Sequence, residues 1–349
     1  LPLLEKAFEL DPGDLSGKLN LADARYQVGQ YQEAWHLLEP YSDNYKGTPQ
    51  VAKLLGLVLL AMDKKTEAEP VLCFAAEHYP EDIEIVLTSA QLIINEYETN
   101  FDDLPTERLK HTAEILRKAS DIHPNQTIFS LHAADIERLK GNHQKALEAY
   151  QKLSSSHGES KTLEDWRLQY GLGTSAIALG EHEMGLAALQ TAASKKPENL
   201  LVLHALVEGY QSAQFPTKAE ELARTALKLA PQELSNILWF ADYKKNNNEP
   251  EDAIEALEEA MKMNPDQTKL KLWLSRLYIS TGSLEQSKSL LETLITEEDI
   301  YPEELHQAAY IGMQMNELEL TLAALEKAFQ ERAGFNPVLL MDLAAVNML

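Results

Sequence analysis

The sequence predicts an all-α fold built from stacked helical hairpins, and three observations carry this prediction. The segment "AEELARTALKLAPQE" (219–233) returns 34 residues later within "DAIEALEEAMKMNPDQ" (252–267), with small, apolar and proline residues at the same offsets. Within each half of this unit apolar residues recur every three or four positions, which is the period of an amphipathic helix. The composition, 44% hydrophobic and 25% charged, is that of a folded chain that buries a core.

A small residue recurs at the position where the two helices of each repeat are expected to cross. It is found at Ala22, Gly56, Ala90, Ala134, Gly173, Val207, Ala241, Ser275, Ala309 and Ala344. A companion residue lies on the following helix, at Ala34, Ala68, Thr112, Ala146, Gly185, Ala219, Ala253, Ser287 and Thr321. Because small side chains let two helix axes approach closely, each repeat is predicted to be a helical hairpin.

Glycine and proline residues mark the ends of the predicted helices. The first helices are expected to end at residues with left-handed dihedral angles, namely Gly29, Gly141, Gly180 and Gly282. Prolines close many of the second helices, at Pro12, Pro80, Pro124, Pro197, Pro231 and Pro265. One hairpin cannot cover its apolar face alone, so neighbouring hairpins are predicted to stack into a superhelix with a groove.

Two spacings between repeats are longer than the others. A step of 44 residues places an insertion at 95–108, between the two helices of the third repeat, where we expect longer helical ends and an exposed loop near Pro105. A step of 39 residues places a second insertion around 154–161. Both a bend between two lobes and a loop inside a continuous stack remain open there, and the continuous stack is favoured.

The two ends of the chain match incomplete repeats. Residues 1–12 match a second helix without its first, and residues 337–349 match a first helix without its second. We therefore expect residues 1–349 to form one array of about nine hairpins, with partial repeats at both termini.

The pattern resembles the tetratricopeptide repeat over essentially the whole chain. Two segments follow the motif of that family almost position by position, "LNLADARYQVGQYQEA" (19–34) and "LLGLVLLAMDKKTEAEPVLCFAAEHYPED" (54–82). The resemblance implies a right-handed α-α superhelix in which the first helix of each repeat lines the concave groove. It says little about the partner, since one fold serves many functions.

The resemblance also implies which residues line the groove. The ninth position of the motif holds Asp23, Leu57, Gln91, Asp135, Thr174, Glu208, Asp242, Arg276 and Tyr310. The sixth position holds Asn20 in the first repeat, and it holds Trp239 and Trp273 in two consecutive repeats. We expect a partner-binding groove with Trp239 and Trp273 as apolar anchors and with Glu208, Asp242, Arg276, Asp135, Asn20 and Asp23 along it. Internal packing of both tryptophans is an equally open alternative.

Several classes of function are disfavoured by the sequence. The formal net charge of −24 argues against a nucleic-acid ligand, since such binding depends on clustered Lys and Arg, and it favours a basic or neutral protein partner. The sequence contains no run of 18 apolar residues, so we expect no membrane insertion. A cytoplasmic or periplasmic location is expected. The sequence "GLGTSA" (171–176) imitates a dinucleotide-binding pattern, but no strand precedes it. We expect no cofactor, no metal and no catalytic residues.

Two functions remain open on this basis. The first is a non-enzymatic scaffold whose groove binds a peptide or helix of a partner protein. The alternative is a regulatory or substrate-presenting arm of a larger enzyme or signalling protein.

Overall fold

The structure, a computed structural model of the chain, describes residues 1–99, 105–156, 165–298 and 300–331. These residues form α-helices and one 3-10 helix, and they contain no strand. The contacts divide the chain into two compact units, Leu1–Pro216 and Thr217–Leu349. The predicted all-α fold of helical hairpins is confirmed for the described residues.

The first unit contains five consecutive hairpins, each made of two successive helices, together with an additional helix at each end. Its elements are α1 (Pro2–Leu10), α2 (Leu15–Gln27), α3 (Tyr31–Leu38), a 3-10 helix (Glu39–Gly47), α4 (Pro49–Ala61), α5 (Lys65–His78), α6 (Ile83–Thr99), α7 (Thr106–Ile122), α8 (Thr127–Leu139), α9 (His143–Ser156), α10 (Asp165–Ala178), α11 (His182–Lys195) and α12 (Leu200–Ser212).

The second unit contains three further hairpins, which follow helix α13 at the boundary. Its helices are α13 (Pro216–Leu229), α14 (Leu234–Asn246), α15 (Pro250–Met263), α16 (Thr268–Ser280), α17 (Leu284–Thr296), α18 (Pro302–Gln314) and α19 (Leu318–Glu331). Within each hairpin the two helices pack on each other, and the first helices α14, α16 and α18 also pack side by side. Ala344 and the segment 337–349, predicted to begin a further repeat, lie outside the described residues.

The predicted crossing residues are buried wherever the structure describes them, from Ala22 to Ala309 and from Ala34 to Thr321. Gly173 and Gly185 show why small residues are required. A Cβ atom on Gly173 would lie 2.6 Å from Leu189 Cγ and 3.0 Å from the carbonyl oxygen of Gly185. The glycines of "GLGTSA" therefore serve helix packing.

Eight of the interhelical turns share one backbone geometry. The four predicted glycines have φ between +79° and +81°. Asp63, Gln214, Asn248 and Asn316 take the same role with φ between +58° and +64°, and no glycine marked these turns in the sequence. In each turn the next residue donates its N–H five residues back, as Phe215 does to the Tyr210 carbonyl at 2.8 Å, which is the C-terminal capping motif of a helix.

The two insertions fall in the first unit. Helices α6 and α7 flank the first of them and are 17 residues each. Residues 100–104 of this insertion and residues 157–164 at the second lie outside the described residues. Helices α9 and α10, on the two sides of the second insertion, pack against each other.

Candidate functional site

The surface formed by α14, α16 and α18, here called the first-helix face, carries several of the predicted groove residues. Trp273 and Arg276 lie three residues apart on α16, and Gln307, Tyr310 and Met313 follow each other at the same interval on α18. Residues three apart share one side of a helix. A hydrogen bond from Arg276 Nη2 to Gln307 Oε1, at 3.2 Å, joins these two sides into one surface.

Tyr310 and Met313 are the large apolar side chains that this surface exposes most. Tyr310 is 60% exposed and Met313 is 46% exposed. Tyrosine, methionine and arginine are enriched where proteins bind one another, and charged residues other than arginine are depleted there. The sequence placed Tyr310 at a groove position of the last repeat, but nothing in the sequence distinguished it from buried tyrosines.

The expectation that Trp239 is an exposed anchor is wrong. Only 8% of Trp239 is exposed, and its ring stacks on Tyr243 with centroids 5.6 Å apart and an interplanar angle of 18°. Neighbouring side chains of α14, including Phe240, are buried as well. Trp239 therefore packs inside the second unit, as the alternative interpretation of the tryptophans expected.

Trp273 is half-buried and packs against the apolar core of the second unit. Asp242, on α14, is also half-buried, and it accepts a hydrogen bond from Asn246 Nδ2 at 2.8 Å. Lys245 Nζ lies 3.6 Å from a carboxylate oxygen of Asp242. These two predicted groove residues thus belong to the first-helix face without being as open as Tyr310.

Three further predicted groove residues lie in the first unit. Asn20 and Asp23 on α2 and Glu208 on α12 are exposed. Because Glu208 belongs to a different compact unit from Asp242 and Trp273, the predicted groove of repeats six to eight is divided between the units. The candidate site is accordingly restricted to the second unit.

The expectation that Asp135 lines an open groove is wrong, because this side chain is completely buried. Asp135 accepts hydrogen bonds from Arg167 Nε at 2.7 Å and from the hydroxyl of Tyr150 at 2.6 Å. Burial alone would raise the pKa of Asp135, but the charge of Arg167 and contacts with His132 and Arg138 hold it well below its usual range. Asp135 is therefore an ionised structural residue.

Asp135 belongs to a buried ionic cluster that joins three repeats. Glu98, in the last turn of α6, pairs with Arg138 on α8 and with Arg167 on α10, the latter at 3.3 Å. The Arg138 guanidinium also lies 5.0 Å from the ring centre of Tyr170. The four charged residues carry two positive and two negative charges, so the cluster is neutral. One of the four, Asp135, occupies a position that the family pattern assigned to the groove.

Three carboxylates in the second unit, Glu220, Glu249 and Asp252, lie close enough together to suggest a metal site. Lys244 Nζ already lies among them, at 2.7 Å, 2.6 Å and 3.0 Å respectively. Burial would lower the pKa of Lys244, but hydrogen bonds to Glu220 and Glu249 outweigh it and raise the pKa. The lysine ammonium thus supplies the positive charge that a metal ion would otherwise supply.

No helix among the described residues is both long enough and apolar enough to cross a lipid bilayer.

Repeated hairpins of this size, with small residues at every crossing, define the class of helical repeat proteins. Models described as tetratricopeptide repeat match residues 1–58, 133–199 and 247–306, which together make up more than half of the sequence. The chain belongs to the tetratricopeptide repeat family.

Three known proteins illustrate the similarity. Tetratricopeptide repeat protein 21B of Homo sapiens is 25% identical over 214 residues, which is 60% of this chain. A tetratricopeptide repeat protein from Parabacteroides merdae is 19% identical, with a TM-score of 0.43, covering 76% of this chain and 98% of that chain. A human IFIT1 dimer with PPP-AAAA is 15% identical, with a TM-score of 0.49, covering 95% of this chain and 86% of that chain.

The chain spans only 15% of the length of the human protein 21B.

Proposed function

We propose that the chain is a non-enzymatic protein-interaction scaffold that binds a peptide or helix of a partner protein on the first-helix face of its second unit. One observation carries this proposal, namely the exposure of Tyr310 and Met313 beside Arg276 and Trp273. An exposed aromatic side chain next to a thioether and a guanidinium has the composition of an interaction hot spot.

The first unit offers a contrast that supports this choice. There Asp135 and Arg138 hold the positions of repeat four that correspond to Tyr310 and Met313, and both are buried and paired with Arg167 or Glu98. A partner could reach these groups only by breaking buried ion pairs, which is costly. The second unit presents its apolar side chains without such a rearrangement.

The partner segment is expected to be basic or neutral. The formal net charge of the chain is −24, so a basic segment is attracted over a distance set by the ionic strength. Asp242 supplies a carboxylate on the same face, while Arg276 can bond a backbone carbonyl or a side-chain oxygen. An apolar residue of the partner would pack on Tyr310 and Met313.

A non-enzymatic role agrees with where the strongly perturbed ionisable groups lie. Asp135, Tyr150 and Arg167 are buried and satisfied by one another, so they support the fold and are closed to a substrate. Perturbed groups of a catalytic site would instead meet at a cleft.

The test is selection of peptides from a displayed random library on the purified chain, followed by affinity measurements on variants. We expect Tyr310→Ala to weaken the binding of a selected peptide by about 2 kcal/mol, or about thirtyfold, because a hot-spot aromatic contributes that much. Met313→Ala and Arg276→Ala are expected to weaken it less.

The matched control is Phe329→Ala, which removes another aromatic side chain of the same unit that is 42% exposed but lies on α19, outside the first-helix face. This variant should leave the affinity within about twofold, a change smaller than a hot spot produces. Peptides that are insensitive to Tyr310→Ala, Met313→Ala and Arg276→Ala would overturn the proposed surface.

A further inference from the structure

A cavity of about 460 Å³ lies in the second unit, between the loop that joins α15 to α16 and the first turn of α18. Its walls are formed by residues 263–268 together with Tyr301 and Glu304. Tyr301 exposes most of its ring and Met263 about half of its side chain. The lining thus combines an aromatic ring and a thioether with the carboxylates of Asp266 and Glu304.

The carboxyl end of helix α15 forms one side of this cavity. The peptide dipoles of a helix place partial negative charge at its carboxyl end, where a cation is stabilised. Pro265 follows the C-cap residue Asn264 and has no N–H, so it cannot donate to the carbonyl of Met261 as that position would in a continuing helix. This wall therefore favours positive charge independently of the two carboxylates.

In the next repeat, the carboxyl end of the second helix binds a lysine of the chain itself. At the carboxyl end of α17, Lys327 Nζ donates to the carbonyl oxygen of Ile295 at 2.8 Å and to that of Glu297. The chain thus fills this helix end with an ammonium group of its own. Residues 34 positions earlier in the sequence are the counterparts one repeat back, and they place Met261 and Met263 at the corresponding helix end.

The counterpart of Lys327 in that earlier repeat is Thr293. Its side chain is several bonds shorter than that of lysine, and its hydroxyl donates to the Ser289 carbonyl of its own helix at 2.9 Å. The carboxyl end of α17 accepts hydrogen bonds from Lys327, whereas beside the carboxyl end of α15 the corresponding residue is Thr293. Met263, the counterpart of Glu297, whose carbonyl accepts from Lys327, lines the cavity.

We propose that this cavity binds the side chain of a lysine from a partner protein. The ammonium group lies at the carboxyl end of α15, between Asp266 and Glu304, and the aliphatic stem packs on Met263 and the ring of Tyr301. The strongly acidic chain attracts such a lysine over longer distances. The lining includes none of Trp273, Arg276, Tyr310 and Met313, so the site stands independently of the function proposed above.

The charges around Glu304 affect how strongly its carboxylate can bind a lysine ammonium group. Burial raises the pKa of Glu304, the charge of Glu303 also raises it, and a hydrogen bond from the backbone together with the charge of Lys269 lowers it. A bound ammonium group would favour the ionised carboxylate in the same way as Lys269. Lys269 is exposed, and its charge competes with that of the partner lysine.

The experiment follows the methyl group of Met263 by NMR in protein labelled at the methionine methyl carbons, with Met263→Leu used for assignment. The probe is Nα-acetyl-lysine methylamide. The matched control probe is the same compound acetylated at Nε, which keeps the stem and removes the charge. We expect a saturable shift of the Met263 signal with the first probe and none with the second.

Variants of the charged groups test the geometry. Glu304→Gln is expected to lower the affinity for the ammonium probe about threefold or more, because it removes a charged partner of the ammonium group. Lys269→Gln is expected to raise that affinity, because it removes a competing positive charge. Thr293→Lys should fill the site from within and abolish the shift. If one of these variants fails to fold, the other two still decide.

Three results would overturn the proposal: no shift with the ammonium probe, an equal shift with the Nε-acetylated probe, or unchanged affinity in the folded variants.

Discussion

Trp239 and Trp273 occupy the same motif position in consecutive repeats, yet they differ in burial. Trp239 stacks on Tyr243 inside the second unit, whereas Trp273 is half-buried on the first-helix face. We expect Trp239→Ala to lower the free energy of unfolding by about 3–5 kcal/mol, as truncation of a core aromatic does. Trp273→Ala should cost less stability and should weaken peptide binding. Urea denaturation and peptide titration of both variants check this, and the reverse order of stability losses would contradict it.

Gln214 carries the left-handed backbone of its turn at φ +64°, a conformation that glycine adopts without steric cost. Four other turns of the same geometry have glycine there. We therefore expect Gln214→Gly to raise the free energy of unfolding by about 0.5–1 kcal/mol, the relief of strain exceeding the added entropy of the unfolded chain.

The control for this change is Asn248→Gly, in a turn with φ +60°. Asparagine tolerates the left-handed region better than glutamine, so the gain should be smaller. Equal or lower stability of Gln214→Gly in thermal denaturation would show that the turn is not strained.

At the scale of the helical elements, spacing alone predicted most of the fold. Small residues such as Ala22, Gly56 and Gly173 recur at a regular spacing because each is buried at a helix crossing.

The candidate site was less predictable from the sequence than the fold. Asp135 and Arg276 share a motif position, but Asp135 is buried in an ion pair with Arg167, which comes from the next repeat. A pattern within one repeat contains no information about such partners.

The extended helix α6 gives the first insertion a structural role. Glu98 lies in the last turn of this 17-residue helix, where it pairs with Arg138 and Arg167 of the next two repeats. Removal of one partner leaves a buried charge uncompensated, so Glu98→Ala is expected to cost about 3–5 kcal/mol of stability. The measurement is urea denaturation.

The matched control is Asp121→Ala, which breaks the exposed ion pair of Asp121 with Arg117 on α7. An exposed pair contributes at most about 0.5–1 kcal/mol. Similar losses for Glu98→Ala and Asp121→Ala would mean that the buried cluster does not hold the repeats together.

The same cluster predicts how stability depends on pH. The pKa of Asp135 is lowered in the folded chain, so its contribution is complete above the pKa of the unfolded state, about 4, and is lost as the pH falls toward the folded value. Asp135→Asn should lower stability at pH 7 and flatten the loss of stability below about pH 4. Thermal melting between pH 7 and pH 2.5 checks this, and parallel curves for the two proteins would contradict it.

The whole sequence contains 55 acidic residues but only 31 lysines and arginines. Several of the basic side chains are further withdrawn from the surface, since Arg138, Arg167 and Lys244 are buried in ion pairs with carboxylates. Nucleic-acid affinity comes largely from exposed cations that displace counterions from phosphates. The net charge thus supports the protein partner that we propose.

The chain is therefore expected not to bind a short RNA with a 5′-triphosphate. At 0.15 M salt, fluorescence anisotropy of labelled, triphosphorylated tetra-adenylate should show no saturation below about 100 µM protein, the weak end of nonspecific binding. A deca-lysine peptide is the positive control, because its binding should be detectable at low salt and should weaken as salt screens the acidic surface. Saturable RNA binding at micromolar protein would contradict this expectation. It would require a local cluster of exposed lysines and arginines that overcomes the net charge of −24.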